Sequence, residues 1–68
     1  MRLIVNGDPT VLTAGATIAE LLAGMGIAVD ARGVAVARNG SVVLRADWPA
    51  VELAAGDRVE VLHAVQGG

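Results

Sequence analysis

The sequence predicts an α+β fold in which one helix crosses a mixed sheet of about four to five strands. Asn-Gly pairs at positions 6–7 and 39–40 lie between short alternating apolar segments, which is the strongest local signal of a β-hairpin. Between the two hairpins, residues 17–25 place apolar side chains at helical spacing. Residues 58–65 alternate once more and predict a last strand.

The strands are predicted from alternation of apolar and polar residues. Leu3 and Val5 share one face of the first segment, and Val59 and Val61 share one face of the last. Turn residues at positions 6–9, and again at the Gly56-Asp57 pair, separate these segments. The predicted strands are residues 1–6, 10–13, 34–38, 41–45 and 58–65.

The helix has a predicted start and a predicted end. Thr17 followed by Glu20 forms a capping box, in which each side chain accepts a hydrogen bond from the other residue's backbone N–H. Gly26 is the best candidate for the C-terminal cap. The predicted apolar stripe consists of Ile18, Leu21, Leu22 and Met25.

A single helix cannot cover its apolar stripe alone, so it must pack across one face of the sheet. Hairpin, helix, hairpin and last strand, in that order, is the arrangement of the ubiquitin-like β-grasp fold. With 68 residues, one domain over positions 1–68 is expected. Residues 65–68 are expected to form a loose C-terminal tail, because beyond Val65 and Gln66 only glycines follow.

The composition argues against several classes of function. With no cysteine and one histidine, His63, the chain offers no disulfide, no thiol nucleophile and no metal or iron–sulfur site. No nucleophile is paired with a base, so we expect a protein that is not an enzyme and binds no cofactor of its own.

Partners and location are constrained in the same way. The five arginines are scattered, the net charge is −2, and Trp48 is the one aromatic residue, which argues against nucleic-acid binding. No segment approaches the ~20 apolar residues that span a bilayer. Strand-like alternation from Met1 onward is unlike a signal peptide, so we expect a cytoplasmic protein.

The sheet face turned away from the helix keeps apolar residues where polar ones are usual. One interpretation is a docking face for a partner; the other is a set of small exposed apolar residues without function. The candidate face residues are Ile4, Ala37, Leu62 and Ala64.

The terminal Gly67-Gly68 pair is the strongest functional signal, although two glycines alone also end many chains by chance. Residues without a Cβ can enter a narrow tunnel, and positions 64–68 reach about 17 Å when extended. Val65 and Gln66 would then line the tunnel entrance or act as spacers. The Gly68 carboxylate is an anion and a poor electrophile at neutral pH, so it reacts only after activation, for example as an acyl-adenylate made with ATP. Sulfur transfer would convert it to a thiocarboxylate, and without a cysteine the chain end is the only place where sulfur can be held.

Several segments together resemble the ThiS family of small bacterial sulfur carriers, and the resemblance covers essentially the whole chain. It implies that an ATP-dependent adenylyltransferase, the activating enzyme, adenylates Gly68. It also implies that a persulfide sulfur donor forms the thiocarboxylate and that a thiazole synthase uses the sulfur for the thiazole of thiamin. The matching segments are residues 17–22, residues 34–40, residues 43–45 with Trp48, residues 53–60 and residues 64–68.

Alternatives remain at this point. The small subunit of molybdopterin synthase, or another thiocarboxylate carrier, shares the predicted fold, tail and chemistry. A β-grasp interaction domain with an incidental Gly-Gly belongs to a different class. Among single residues, Trp48 is expected to pack over the edge of the core rather than to anchor a partner, and His63 to be a partly covered strand residue rather than a catalytic one. Asp57 is expected to serve its turn, through bonds from nearby backbone N–H groups to its side chain. Arg45 either orients an acidic group of a partner or is a solvated charge.

Overall fold

Five strands and one α-helix make up the part of the chain that a computed structural model describes, residues 1–64. The predicted tail positions Val65, Gln66, Gly67 and Gly68 lie outside the described residues. The elements are β1 (Arg2–Val5), β2 (Asp8–Val11), α1 (Ile18–Gly24), β3 (Val34–Arg38), β4 (Ser41–Val43), a 3-10 helix (Arg45–Asp47) and β5 (Arg58–His63).

The strands form one mixed sheet in the order β2-β1-β5-β3-β4. β1 and β5 run parallel, and the other neighbours are antiparallel. β5 therefore lies in the centre, although it is last in sequence, and α1 packs against one face of the sheet. This arrangement confirms the predicted β-grasp fold, and it places β5, the strand before the predicted tail, between the neighbouring strands β1 and β3.

The predicted face assignment of the sheet is confirmed on the helix side. Leu3, Val36 and Val59 are almost fully buried, and they pack with Ile18 and Leu22 of the helix. Met1 and Val34 are partly buried against the same core. Burial of this kind contributes roughly 1.5–3 kcal/mol for each large aliphatic side chain.

The helix begins as predicted and differs at its end. Glu20 N–H donates to Thr17 Oγ1 and Thr17 N–H donates to Glu20 Oε1, both at 3.2 Å, which completes the capping box. Gly26 follows the C-cap with a φ of 78°, a left-handed conformation that glycine adopts at little cost. Met25, predicted to belong to the buried stripe, is 41% exposed, because it is the C-cap residue and the helical periodicity has ended there.

Strand boundaries differ from the prediction in β1, β2, β4 and β5, whereas β3 agrees at both ends. β1 covers Arg2–Val5 instead of residues 1–6, and β2 ends at Val11 instead of residue 13. Asn6 and Gly7, at φ values of 51° and 83°, complete a two-residue turn, so β2 already begins at Asp8 instead of residue 10. Pro9 is tolerated inside β2 because this is an edge strand. β4 ends at Val43 because the 3-10 helix follows, and β5 ends at His63.

Both Asn-Gly turns also hold the central strand through the asparagine side chain. The Asn6 amide donates to Val61 O at 3.2 Å and accepts from Val61 N–H at 2.7 Å, as a backbone peptide would. Asn39 Oδ1 accepts from Arg58 N–H at 2.9 Å. The two hairpins are therefore attached to β5 by their turns as well as by their strands.

Candidate functional site

The root of the predicted tail is the end of β5. The β3–β5 ladder finishes at the pair Val34↔His63, and one further hydrogen bond follows, from Ala64 N–H to Gly33 O at 2.8 Å. Ala64 is exposed and is the last residue that the structure describes. The chain thus leaves the sheet from its central strand, at a point that is fixed by a backbone contact.

The structure brings part of the predicted docking face together beside this root. Cross-strand pairs align Ala35 with Leu62 and Ala37 with Val42, and these four residues, together with Val36 and the charged Glu60, line a shallow groove of about 120 Å³. Leu62 is 69% exposed and Val42 is 76% exposed. We call Ala35, Ala37, Val42 and Leu62 the Leu62 patch.

Ile4 lies apart from the Leu62 patch. β1 pairs with β5 only at Ile4↔Arg58 and Val5↔Val59, so Ile4 sits beside Arg58, roughly 13 Å along the strand from Leu62. It is half-buried, and the exposed Arg58 and Glu60 lie between it and Leu62 on β5. Val42 was missed by the sequence analysis, since it becomes part of the patch only through the register of β4 on β3.

The turn before β5 is fixed by a buried carboxylate. Asp57, 7% exposed, accepts from Ala54 N–H and from Arg38 Nε at Oδ2, both at 2.8 Å, and from Asn39 Nδ2 at Oδ1 at 3.0 Å. Burial alone would raise the pKa of Asp57, but the hydrogen bonds from Ala54, Asn39 and Arg38 and the Arg38 charge lower it below its usual value. The predicted turn role is confirmed, with two partners that sequence reasoning missed.

The comparisons with known proteins agree with this geometry. Residues 3–68 match the sequence model of the ThiS family. The chain belongs to the ThiS family. A crystal structure of the thiamine biosynthesis protein ThiS from Geobacter metallireducens superposes with a TM-score of 0.81 at 36% identity, covering 100% of both chains. A solution NMR structure of a thiamine biosynthesis protein from the same organism gives the same score and identity over 100% of this chain and 88% of that one.

Two curated relatives are named thiazole synthase. The protein from Magnetococcus marinus is 43% identical over all 68 residues, and that from Paramagnetospirillum magneticum is 35% identical over the same length. Each match covers 100% of this chain and 20% of the relative. The ThiS-family chain therefore spans about a fifth of the length of the curated relatives it matches.

Trp48 and Arg45, which belong to the segments that resemble ThiS proteins, are joined in the structure. Trp48 is 1% exposed and its indole N–H donates to Val43 O at 3.0 Å, so its predicted packing role is confirmed. The Arg45 guanidinium lies 4.6 Å from the ring centroid of Trp48. It donates to Val29 O at 2.5 Å and to Ala31 O at 2.6 Å. Arg45 is thus bound to the connection before β3 while it remains exposed, a contact that was not predicted from the sequence.

His63 is exposed, where a partly covered residue was predicted. It shares parity with Val59 and Val61, but it is the last residue of β5 and the core packing does not extend that far. Within residues 1–64, no group of three or more ligating side chains could hold a metal ion. No helix in this described part of the chain is long and apolar enough to cross a bilayer.

Proposed function

We propose that this ThiS-family chain is a sulfur carrier of thiazole formation in thiamin biosynthesis, with the Gly68 carboxyl group as the site that is modified. The observation that carries the proposal is the family match over residues 3–68, which includes the Gly67-Gly68 pair. Its full-length likeness to a thiamine biosynthesis protein supports the same role. The likeness of the chain to proteins named thiazole synthase points to that enzyme as the acceptor of the sulfur.

The chemistry follows from the properties of a carboxylate. Attack of the Gly68 carboxylate on the α-phosphorus of ATP gives an acyl-adenylate and pyrophosphate, so that AMP becomes the leaving group. The terminal sulfur of a donor persulfide then attacks the acyl carbon and displaces AMP, which gives an acyl disulfide. A second thiol reduces its S–S bond and releases the thiocarboxylate. Every reagent apart from the carboxylate comes from partners, so the proposed role of the chain is that of a substrate and carrier rather than an enzyme. The proposed location of this chemistry is the cytoplasm.

The docking surface that we propose for the adenylyltransferase is the Leu62 patch with Ala64. The four side chains of the patch are apolar, and the two largest, Val42 and Leu62, are mostly exposed. Leu62 lies on β5, two residues before Ala64. A partner that covers it would have the chain end within reach, because four residues span at most roughly 13 Å. Ile4 lies on β1 beside Arg58, too far from Leu62 to share one small apolar contact with it, and we assign it to the margin of the surface.

Intact mass spectrometry tests the proposed modification. The chain ending at Gly68 is incubated with ATP, the cognate adenylyltransferase and a persulfide donor, and its mass is expected to rise by the difference between one sulfur and one oxygen atom. A variant lacking Gly68 and a variant with one alanine added after Gly68 should remain unmodified. An unchanged mass of the wild-type chain, in a reaction that modifies a known carrier, would favour an interaction domain with an incidental Gly-Gly.

Genetics separates the thiamin role from the other carrier roles. A strain in which this chain is deleted is expected to require thiazole for growth, and the supplement should restore growth fully. Rescue by a molybdopterin-dependent product instead would assign the chain to that pathway.

The docking surface is tested by one charge on each side of the sheet. Leu62→Glu places a carboxylate in the Leu62 patch and is expected to raise the KM for the chain in adenylation at least tenfold, because the charge must be desolvated on binding. Ala23→Glu places the same charge on the exposed side of α1 and should leave the KM unchanged. Equal KM values for Leu62→Glu and the wild-type chain would remove the patch from the interface.

A further inference from the structure

The last contact before the predicted tail is made to a glycine at which a side chain would crowd Ala64. A Cβ built on Gly33 would lie 3.2 Å from both the Cβ and the carbonyl oxygen of Ala64, and 3.7 Å from its nitrogen. The φ of Gly33 is 73°, so any other residue would also adopt a strained backbone there. By contrast, Gly26 has a φ of 78° and nothing within 4 Å of the position of a Cβ.

Gly33 is itself held by contacts that lead back to the core. The connection between α1 and β3 starts at the buried Ile27, and Arg45 binds the carbonyl oxygens of Val29 and Ala31 within it. Arg45 in turn lies over the ring of the buried Trp48. A guanidinium can bridge two carbonyl groups because its N–H donors have a fixed planar arrangement. The connection is therefore tied to the core shortly before it reaches Gly33.

We propose that Gly33 is a positioning residue that fixes the point from which the C-terminal residues extend, and that Arg45 holds Gly33 in place. This inference rests on the proposed carrier function. With the Gly33–Ala64 contact formed, the chain extends from residue 64; without it, the chain extends from His63, the last paired residue of β5.

The consequence for the carboxyl group is a wider range of positions. Each residue released from the sheet adds about 3.3 Å of reach and two rotatable backbone angles. The local concentration of the carboxylate at a partner's reaction site falls as the connecting segment lengthens beyond the required span. The four residues of the Leu62 patch are held by the β3–β4 and β3–β5 ladders, so Ala64 is the one part of the proposed docking surface that depends on this contact. Loss of the contact should therefore lower kcat of adenylation by a larger factor than it raises KM.

The test compares two glycine-to-alanine variants with the same backbone cost. Gly33→Ala and Gly26→Ala both place alanine at a positive φ, but only Gly33→Ala introduces a Cβ against Ala64. Amide hydrogen exchange of Ala64, followed by NMR, reports the contact without any partner enzyme. We expect faster exchange at Ala64 and a kcat lowered by roughly a third for Gly33→Ala, because the free segment lengthens from four residues to five. Gly26→Ala should keep wild-type values for both below its unfolding transition.

Arg45→Lys is the second variant, since it keeps the positive charge and loses the two-carbonyl bridge. It should shift the same two measurements in the same direction by a smaller amount. Wild-type kcat in Gly33→Ala overturns the proposal, whether or not exchange at Ala64 increases. An equal fall of kcat in Gly26→Ala also overturns it, because loss of stability would then be the cause. If the wild-type chain is not adenylated at all, the proposed function fails. Unchanged amide exchange at Ala64 in Gly33→Ala would separately show that the lack of a side chain at Gly33 is not what maintains the contact with Ala64.

Discussion

Replacing Asp57 by asparagine should strongly destabilise the fold, although the two side chains have nearly the same shape. The carboxylate accepts hydrogen bonds at both oxygens, two at Oδ2 from Ala54 and Arg38 and one at Oδ1 from Asn39. An amide has one acceptor oxygen and one NH₂ group. In either orientation, the NH₂ group of the substituted side chain would face at least one donor.

The expected loss in the free energy of unfolding depends on which of the three hydrogen bonds an asparagine side chain can still form. If the new amide oxygen takes the place of Oδ2, its NH₂ group faces Asn39 Nδ2, and Asn39 cannot turn over without losing the bond from Arg58 N–H to its Oδ1. A hydrogen bond to a charged group contributes about 1.5–3 kcal/mol, and the ion pair with the partly exposed Arg38 adds little after solvent screening. We expect Asp57→Asn to lower the free energy of unfolding by about 2–4 kcal/mol.

The same carboxylate gives a pH dependence with a defined sign. The pKa of Asp57 is lowered in the folded state, below the ordinary value of 3.8 for an aspartate. Its contribution is therefore complete above the unfolded-state pKa and is lost as the pH falls through the folded-state pKa. The difference in stability between the wild-type chain and Asp57→Asn should be constant from neutral pH down to about pH 5 and should shrink below about pH 4.

Trp48 provides the assay, because it is the one aromatic residue and is 1% exposed. Urea unfolding followed by its fluorescence gives the free energy of unfolding at each pH. Asp8→Asn is the matched control, since Asp8 is exposed in the edge strand β2. A cost for Asp57→Asn below about 0.5 kcal/mol, the range of ordinary surface substitutions, would refute the argument. So would a difference between the two chains that persists undiminished at about pH 2.

Three further substitutions test the framework around the site. Asn6→Gly keeps a residue that tolerates the φ of 51° but removes both bonds to Val61, so urea unfolding should show a loss of about 1–2 kcal/mol; a gain in stability would contradict the bridging role. Thr17→Ala should cost roughly 1 kcal/mol and speed amide exchange at Glu20, which loses its acceptor; unchanged exchange there would argue against the cap. Trp48→Ala should cost about 3–5 kcal/mol, measured by circular dichroism because the fluorophore is removed; a cost under about 1 kcal/mol would mean that the indole is not part of the core.

The sequence was sufficient where the deciding interactions are local. The capping box joins residues three apart, and each Asn-Gly turn is decided by adjacent residues, so the helix start and both hairpins could be predicted. The Asn6–Val61 bridge spans 55 positions and the Arg38–Asp57 pair spans 19, so neither exists until the sheet register is known. Met25 and His63 were predicted to be buried or partly buried because each continues the apolar spacing of its helix or strand. Each lies where that element ends, and the core does not extend far enough to cover it.

The position of β5 explains why stability and delivery of the chain end can be altered separately. The first half of β5 is paired on both sides, its second half is paired with β3, and Asn6 and Asn39 hold the strand from the two turns, so opening the whole strand requires breaking both hairpins away. A strand of this kind opens only near the global free energy of unfolding. The Gly33–Ala64 contact lies beyond the last ladder pair and depends on one hydrogen bond and the Arg45 bridge. Variants at the turns should therefore lower the free energy of unfolding and leave kcat of adenylation unchanged. Variants at Gly33 should lower kcat by more than their loss of stability explains.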